Sequence, residues 1–106
     1  MISFKEFKNV EMKVGTIKKV EEILNSKNLI KLKVDIGGTV KQAVAGLKGR
    51  YPINELEGKQ FVFVTNLEPA KLMGELSEIM ILAAEDADKV IPIKPEKNIS
   101  NGAIIK

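Results

Sequence analysis

Residues 30–36 limit what this chain can fold into more than any other stretch. Ile30, Leu32, Val34 and Ile36 alternate with Lys31, Lys33 and Asp35, the period of two that sends successive side chains to opposite faces of a strand. Gly37-Gly38 follows, a pair suited to a two-residue hairpin turn, and Val40 to Val44 supplies the returning strand. A lone hairpin is marginal in water, so further strands must cover its apolar side. Val10, Met12 and Val14 alternate with Glu11 and Lys13, and Gly15 then marks a bulge or a close backbone approach. Phe61-Val62-Phe63-Val64 reads as a fully buried strand with both Phe rings in the core. Ile79 to Ala84 and Val90 to Ile93 are two more apolar strands.

The connections are less uniform. Ser3 followed by Glu6 is a capping-box pattern and predicts a short helical turn over Phe4, Phe7 and Lys8. Ile17, Val20, Ile23 and Leu24 have helical spacing, which leaves strand and helix open on pattern alone. Gly49, Tyr51 and Pro52 form a loop, and Pro52 opens a short helix through Leu56 that Gly58 ends. Tyr51, beside Arg50, is the one aromatic expected at the surface. Asn66 to Ser77, containing Pro69 and Gly74, is turn-rich. Asn98, Ser100, Asn101 and Gly102 make a turn before Ala103-Ile104-Ile105. With no repeat, low-complexity tract or linker, one domain is expected over 1–106. Five or more strands with a short helix before the fourth give an all-β chain: an OB-fold, five-stranded Greek-key barrel with additional terminal segments. An SH3-like barrel or a small sandwich shares most of these signals.

The chain contains no His and no Cys. That removes Ser-His-Asp and Cys-His nucleophiles, thiol redox chemistry and ordinary zinc sites. The sequence-paired acids Glu21-Glu22, Glu75-Glu78 and Asp86-Asp88 fall in polar turns and read as solvated surface. Ser77 has no G-x-S-x-G context, and Gly37-Gly38 is not part of a phosphate loop. The expectation is a non-catalytic domain without cofactor or metal. No apolar run nears the ~20 residues of a membrane span and no signal pattern opens the chain, so the expected location is cytoplasmic and no membrane partner is expected.

Charge supplies the positive evidence. The first 50 residues hold 11 Lys and Arg against 5 acids, while the remaining 56 hold 6 against 9. A basic half on a small domain suggests an anionic partner, nucleic acid first. Arg50 is the only residue suited to bidentate recognition, so backbone charge and shape outweigh base reading. Lys31 and Lys33 share one side of their strand, with Lys27 at its entrance and Lys41 on the returning strand. Simple solvation of that face explains the same lysines equally well.

Five blocks then carry a resemblance. Glu11-Met12-Lys13-Val14-Gly15-Thr16-Ile17 and Lys31-Leu32-Lys33-Val34-Asp35-Ile36-Gly37 resemble the D-L-R-V-G and V-D-x-G elements of the tRNA-binding domain family. Ala43-Val44-Ala45-Gly46-Leu47 is similar to its I-V-S-G-L. Asn66-Leu67-Glu68-Pro69-Ala70-Lys71-Leu72-Met73-Gly74 is similar to its N-L-K-P-A-K-x-R-G, and Ser77 to Ala84 to S-x-G-M-L-L-A-A. The likeness runs from about Phe7 to the C-terminus. The family includes stand-alone dimeric tRNA-binding proteins, methionyl-tRNA synthetase domains and beta subunits (the archaeal form is most similar), and export-chaperone-like dimers.

The resemblance implies an OB barrel that binds tRNA by shape, a homodimer joined through the N-terminal turn and the region after Val90, and a possible synthetase catalytic subunit as partner. It also implies a strand continuation over Ile17 to Ile23. Lys13, Lys27, Lys31, Lys33, Lys41 and Lys71 would meet phosphates, and Asn66 and Ser77 would donate or accept neutral hydrogen bonds. Met80 stands at a matching position, although its place between Ile79 and Ile81 reads as core. Asn66, before Leu67 and Pro69, equally reads as a turn-former. Glu68 and Met73 replace two cations of the family pattern, which implies weaker and less salt-steep RNA binding. A protein-interaction module on the same fold is the alternative.

Overall fold

Strand β1 (Met12–Glu22) organises the barrel because it serves two partners in succession. In a computed structural model describing residues 1–106, its first half pairs antiparallel with β4 (Gln60–Val64), from Met12 opposite Val64 to Thr16 opposite Gln60. Its second half pairs with β2 (Ile30–Asp35), from Thr16 opposite Asp35 to Glu22 opposite Ile30, with a register shift between Ile17 and Lys19. The stretch with helical spacing is therefore strand through Glu22. The shift explains the misleading pattern, since one extra residue breaks the period of two. Gly15 lies two residues before it: a Cβ there would sit 2.8 Å from Val34 Cγ1 and 3.0 Å from the Asp35 carbonyl. It is a close approach rather than the bulge.

Strand β2 returns as β3 (Val40–Ala45) across a two-residue turn in which Gly37 and Gly38 both have positive φ. The Asp35 carboxylate locks this turn by accepting the Gly37 and Gly38 N–H groups at 2.9 and 3.2 Å. A 3-10 turn (Ile53–Glu55) follows where a short helix was expected, and buried Leu56 behind it joins the core. Beyond β4 come the hairpin β5 (Ala70–Leu72) and β6 (Glu75–Ser77), then β7 (Met80–Ile81), β8 (Ala83–Asp86) and β9 (Lys89–Pro92). The β5–β6 hairpin went unseen in the sequence, where 66–77 reads as turn; the strand expected over 79–84 is split between β7 and β8, and the one expected over 90–93 is β9. The capping box is present, with α1 (Phe4–Phe7) behind Ser3.

The sheet order is β3-β2-β1-β4-β7, and an Ala43–Ile79 bridge brings its two edges together. This is the five-stranded OB barrel. Ile17, Ile30, Leu32, Val34, Phe61 and Phe63, each at most 1% exposed, fill its interior. Tyr51 packs partly buried against that core. The exposed aromatic side chains are instead Phe4 and Phe7 of α1, a helix with no buried residue.

Two outcomes test this account. G15A forces β2 away from β1 and lowers stability by about 1–3 kcal/mol in urea titration; a neutral result would mean the strands do not meet as described. The Gly37 and Gly38 N–H groups hold the Asp35 carboxyl below its ordinary pKa. Its contribution is complete above the ordinary aspartate range and disappears as pH falls through the lower folded value. Glu22, bonded to Lys48 at 2.8 Å, shifts the same way. Unfolding from about pH 5 to about pH 2 should therefore show an acid limb that D35N flattens in part, and an unaltered limb contradicts the lock.

Candidate nucleic-acid interface

In antiparallel pairs, directly opposed residues put their side chains on the same face. The register thus defines two rows on the outside of β1, β2 and β3. One runs Lys19, Lys33, Gln42; the other runs Glu21, Lys31, Val44. Opposing Lys19 and Lys33 is a like-charge pairing that weakens a sheet, and it is the arrangement an anion would relieve. Lys33 Nζ donates to Gln42 Oε1. Exposed Lys18 sits at the register shift, and its charge favours the Asp35 carboxylate. Lys18 and Lys19 escape the sequence reading because a strand expected over Ile17 to Ile23 shows no sign of the register shift that brings them beside Lys33 and Asp35.

The hairpin β5–β6 lies along this face and shapes it. Val44 N–H donates to Ser77 Oγ at 3.0 Å, and Ser77 Oγ donates to the Ile79 carbonyl at 3.0 Å. Gln42 Nε2 donates to the Leu76 carbonyl at 2.7 Å, while Gln42 N–H donates to Glu78 Oε1 at 3.0 Å. The hairpin brings acids with it. Glu75 Oε1 lies 3.2 Å from Lys31 Nζ, and Glu78 Oε2 lies 3.8 Å from Lys41 Nζ. Lys33, Val40, Lys41, Gln42, Leu76 and Glu78 together line a shallow groove between β3 and the hairpin.

The expected site residues separate accordingly. Lys31, Lys33 and Lys41 come together, although Lys41 opposes Val34 rather than Lys33 and reaches the groove from the barrel rim. Lys71 stands opposite Leu76, on the groove-lining face of the hairpin. Lys27 is exposed in the turn before β2. Lys13 lies apart, opposite Phe63 in the β1–β4 half, with Glu11 at 3.7 Å. Asn66 holds the N-terminal segment: its Oδ1 accepts the Glu11 N–H at 2.9 Å and its Nδ2 donates to the Asn9 carbonyl at 2.7 Å. Met80 is 46% exposed between buried Ile79 and Ile81. That corrects its reading as core, because alternation along β7 turns it outward opposite Val64. Glu68 is exposed before β5. Met73 occupies the hairpin turn at φ 52°.

With that geometry in place, comparison with known proteins is decisive. Residues 12–104 match the family model described as "Putative tRNA binding domain". The chain belongs to that tRNA-binding domain family. It is 47% identical over 105 residues to a methionine–tRNA ligase of Methanococcus aeolicus, covering 99% of this chain and 16% of the relative. A methionine–tRNA ligase of Helicobacter pylori is 44% identical, covering 98% and 16%. The chain therefore spans about one sixth of the length of these curated relatives. Among solved structures, a MetRS related protein from Pyrococcus horikoshii superposes with TM-score 0.94 at 41% identity, covering 100% of this chain and 98% of that one. The chaperone CsaA of Bacillus anthracis superposes with TM-score 0.89 at 30% identity, covering 100% and 99%.

Removing the Ser77 hydroxyl orphans the buried Val44 amide, so S77A should lose about 1–3 kcal/mol in thermal or urea unfolding. Unchanged stability would return Ser77 to the set of free ligand contacts. M73N, matched to the positive φ of its turn, should gain about 1 kcal/mol; a loss in the same assay contradicts the turn.

Proposed function

We propose that this chain is a non-catalytic tRNA-binding module that grips the RNA backbone through the outer face of β1, β2 and β3. The opposed Lys19–Lys33 pair carries the reading: two lysines set opposite one another in the sheet register offer their charges to phosphate oxygens. Lys18, Lys27, Lys41 and Lys71 extend the contact, and exposed Met80 offers a surface for an unstacked base. Ser77 acts by anchoring the hairpin along this face and Asn66 by holding the N-terminal segment, since the fold already engages their polar groups. The ligase relatives support a role beside a methionyl-tRNA synthetase catalytic unit, where a weak grip gains effective concentration. No helix is long and apolar enough to cross a membrane, and the working location is the cytoplasm.

We also propose a homodimer joined through α1 and the chain after Val90. Phe4, Phe7, Val10, Met12, Ile104 and Ile105 line one apolar cleft between the terminal segments, and Phe4 is 73% exposed. A four-residue helix does not hold itself in water, and a second copy would bury its open side. Light scattering should report a dimer that F4S/F7S converts to monomer; a wild-type monomer at high concentration contradicts the assignment.

Filter binding with bulk tRNA at two salt concentrations tests the main reading. Binding that fades with salt is expected, and K19E/K33E should weaken it at least ten-fold, roughly the worth of two phosphate contacts at 0.1 M salt, with melting unchanged. Absence of wild-type binding at low salt overturns the proposal in favour of a protein-interaction module, the reading that the likeness to CsaA supports.

A further inference from the structure

The most consequential unassigned feature is the acidic lining of the proposed RNA face. Lys31 and Lys41 are both already matched by carboxylates, and both carboxylates arrive on the β5–β6 side. These are not loosely tethered surface charges. Glu75 sits two residues before Ser77, whose hydroxyl accepts the Val44 N–H, and next to Leu76, whose carbonyl accepts from Gln42 Nε2. The anchored hairpin therefore delivers Glu75 to Lys31, and Lys31 is only 18% exposed in its side chain. The two acids differ in how they are held. Glu78 also accepts the Gln42 N–H and is tied to the barrel seam. Glu75 bonds Lys31 and nothing else on the hairpin's far side.

We propose that Glu75 is a displaceable built-in counter-ion that offsets the charge of Lys31 until an RNA phosphate replaces it, so that the face selects an extended polyanion over a single phosphate. This rests on the tRNA-binding reading above and specifies how that site chooses its ligand. Exchanging one carboxylate for one phosphate at Lys31 is close to neutral and releases no net counterion. An isolated phosphate or mononucleotide consequently gains little there. A backbone that also reaches unpaired Lys19 and Lys33 draws its binding free energy from those contacts, and the exchange at Lys31 follows. The salt dependence should thus record fewer cations than the face displays.

E75Q keeps the shape of the side chain and frees Lys31. It should tighten tRNA binding roughly five- to eight-fold at 0.1 M salt and steepen the slope of log K against log salt by about 0.7–0.9, one additional phosphate contact. In wild type K31Q should change affinity less than two-fold, whereas in the E75Q background it should erase the whole gain. E57Q, which removes an equal charge from an exposed site in no ion pair, should leave affinity and slope unaltered. Equal gains from E57Q and E75Q would show a general charge effect and overturn the proposal, as would an E75Q protein identical to wild type in a chain that does bind tRNA. If neither protein binds tRNA at low salt, the functional reading itself fails, and the two failures are distinguishable. Inorganic phosphate at millimolar concentration should compete poorly with tRNA on wild type; strong competition also counts against the proposal.

Discussion

The barrel depends on one seam. Four of its five edges are ordinary antiparallel ladders, but β3 meets β7 through a single bridge beside which the Gln42 carbonyl accepts the Glu78 N–H, supported by side-chain-to-backbone bonds of Gln42, Ser77 and Glu78. Without these, Val44 would lose its amide partner and the core around Ala43 and Ile79 would open to water. The same few residues then determine the character of the outer face. A hairpin recruited to close the barrel lies along the basic strands, and its acids come with it.

This arrangement joins the two halves of the charge distribution. Half of the basic excess of the first 50 residues lies on β1, β2 and the turn between them, and the acidic excess of the remainder includes the residues that answer it. A face rich in lysine by sequence is more restrained in space, because Lys31 and Lys41 each lie beside a carboxylate. The cations of this face left without one are Lys19, Lys27, Lys33 and Lys71.

What could be read in the sequence was whatever repeats over several residues. The β2–β3 hairpin, buried β4 and the Ser3–Glu6 cap each carry a local signal strong enough to survive without tertiary context. β1 was obscured by a single register shift, which mimics helical spacing. Strands of two or three residues, such as β5, β6 and β7, give no period at all. The candidate site followed the same rule. Lys31 and Lys33 were visible as alternation on one strand, whereas Lys19 and Glu75 join them only across strands. Asn66 and Ser77 were visible as motif positions, but their partners, 55 and 33 residues away, were not.

The double duty of β1 also bears on how the molecule assembles. Its second half meets β2, close in sequence and already tied to β3 by a tight glycine turn; its first half must wait for β4, and the seam for β7, across far longer stretches of chain. Entropy of loop closure therefore favours a three-stranded meander first and barrel closure last. Interactions formed that late govern how quickly the native state opens rather than how quickly it forms. The lifetime of the closed barrel, and of the basic face laid across its seam, is thus set by a handful of polar contacts while the apolar core sets the depth of the well.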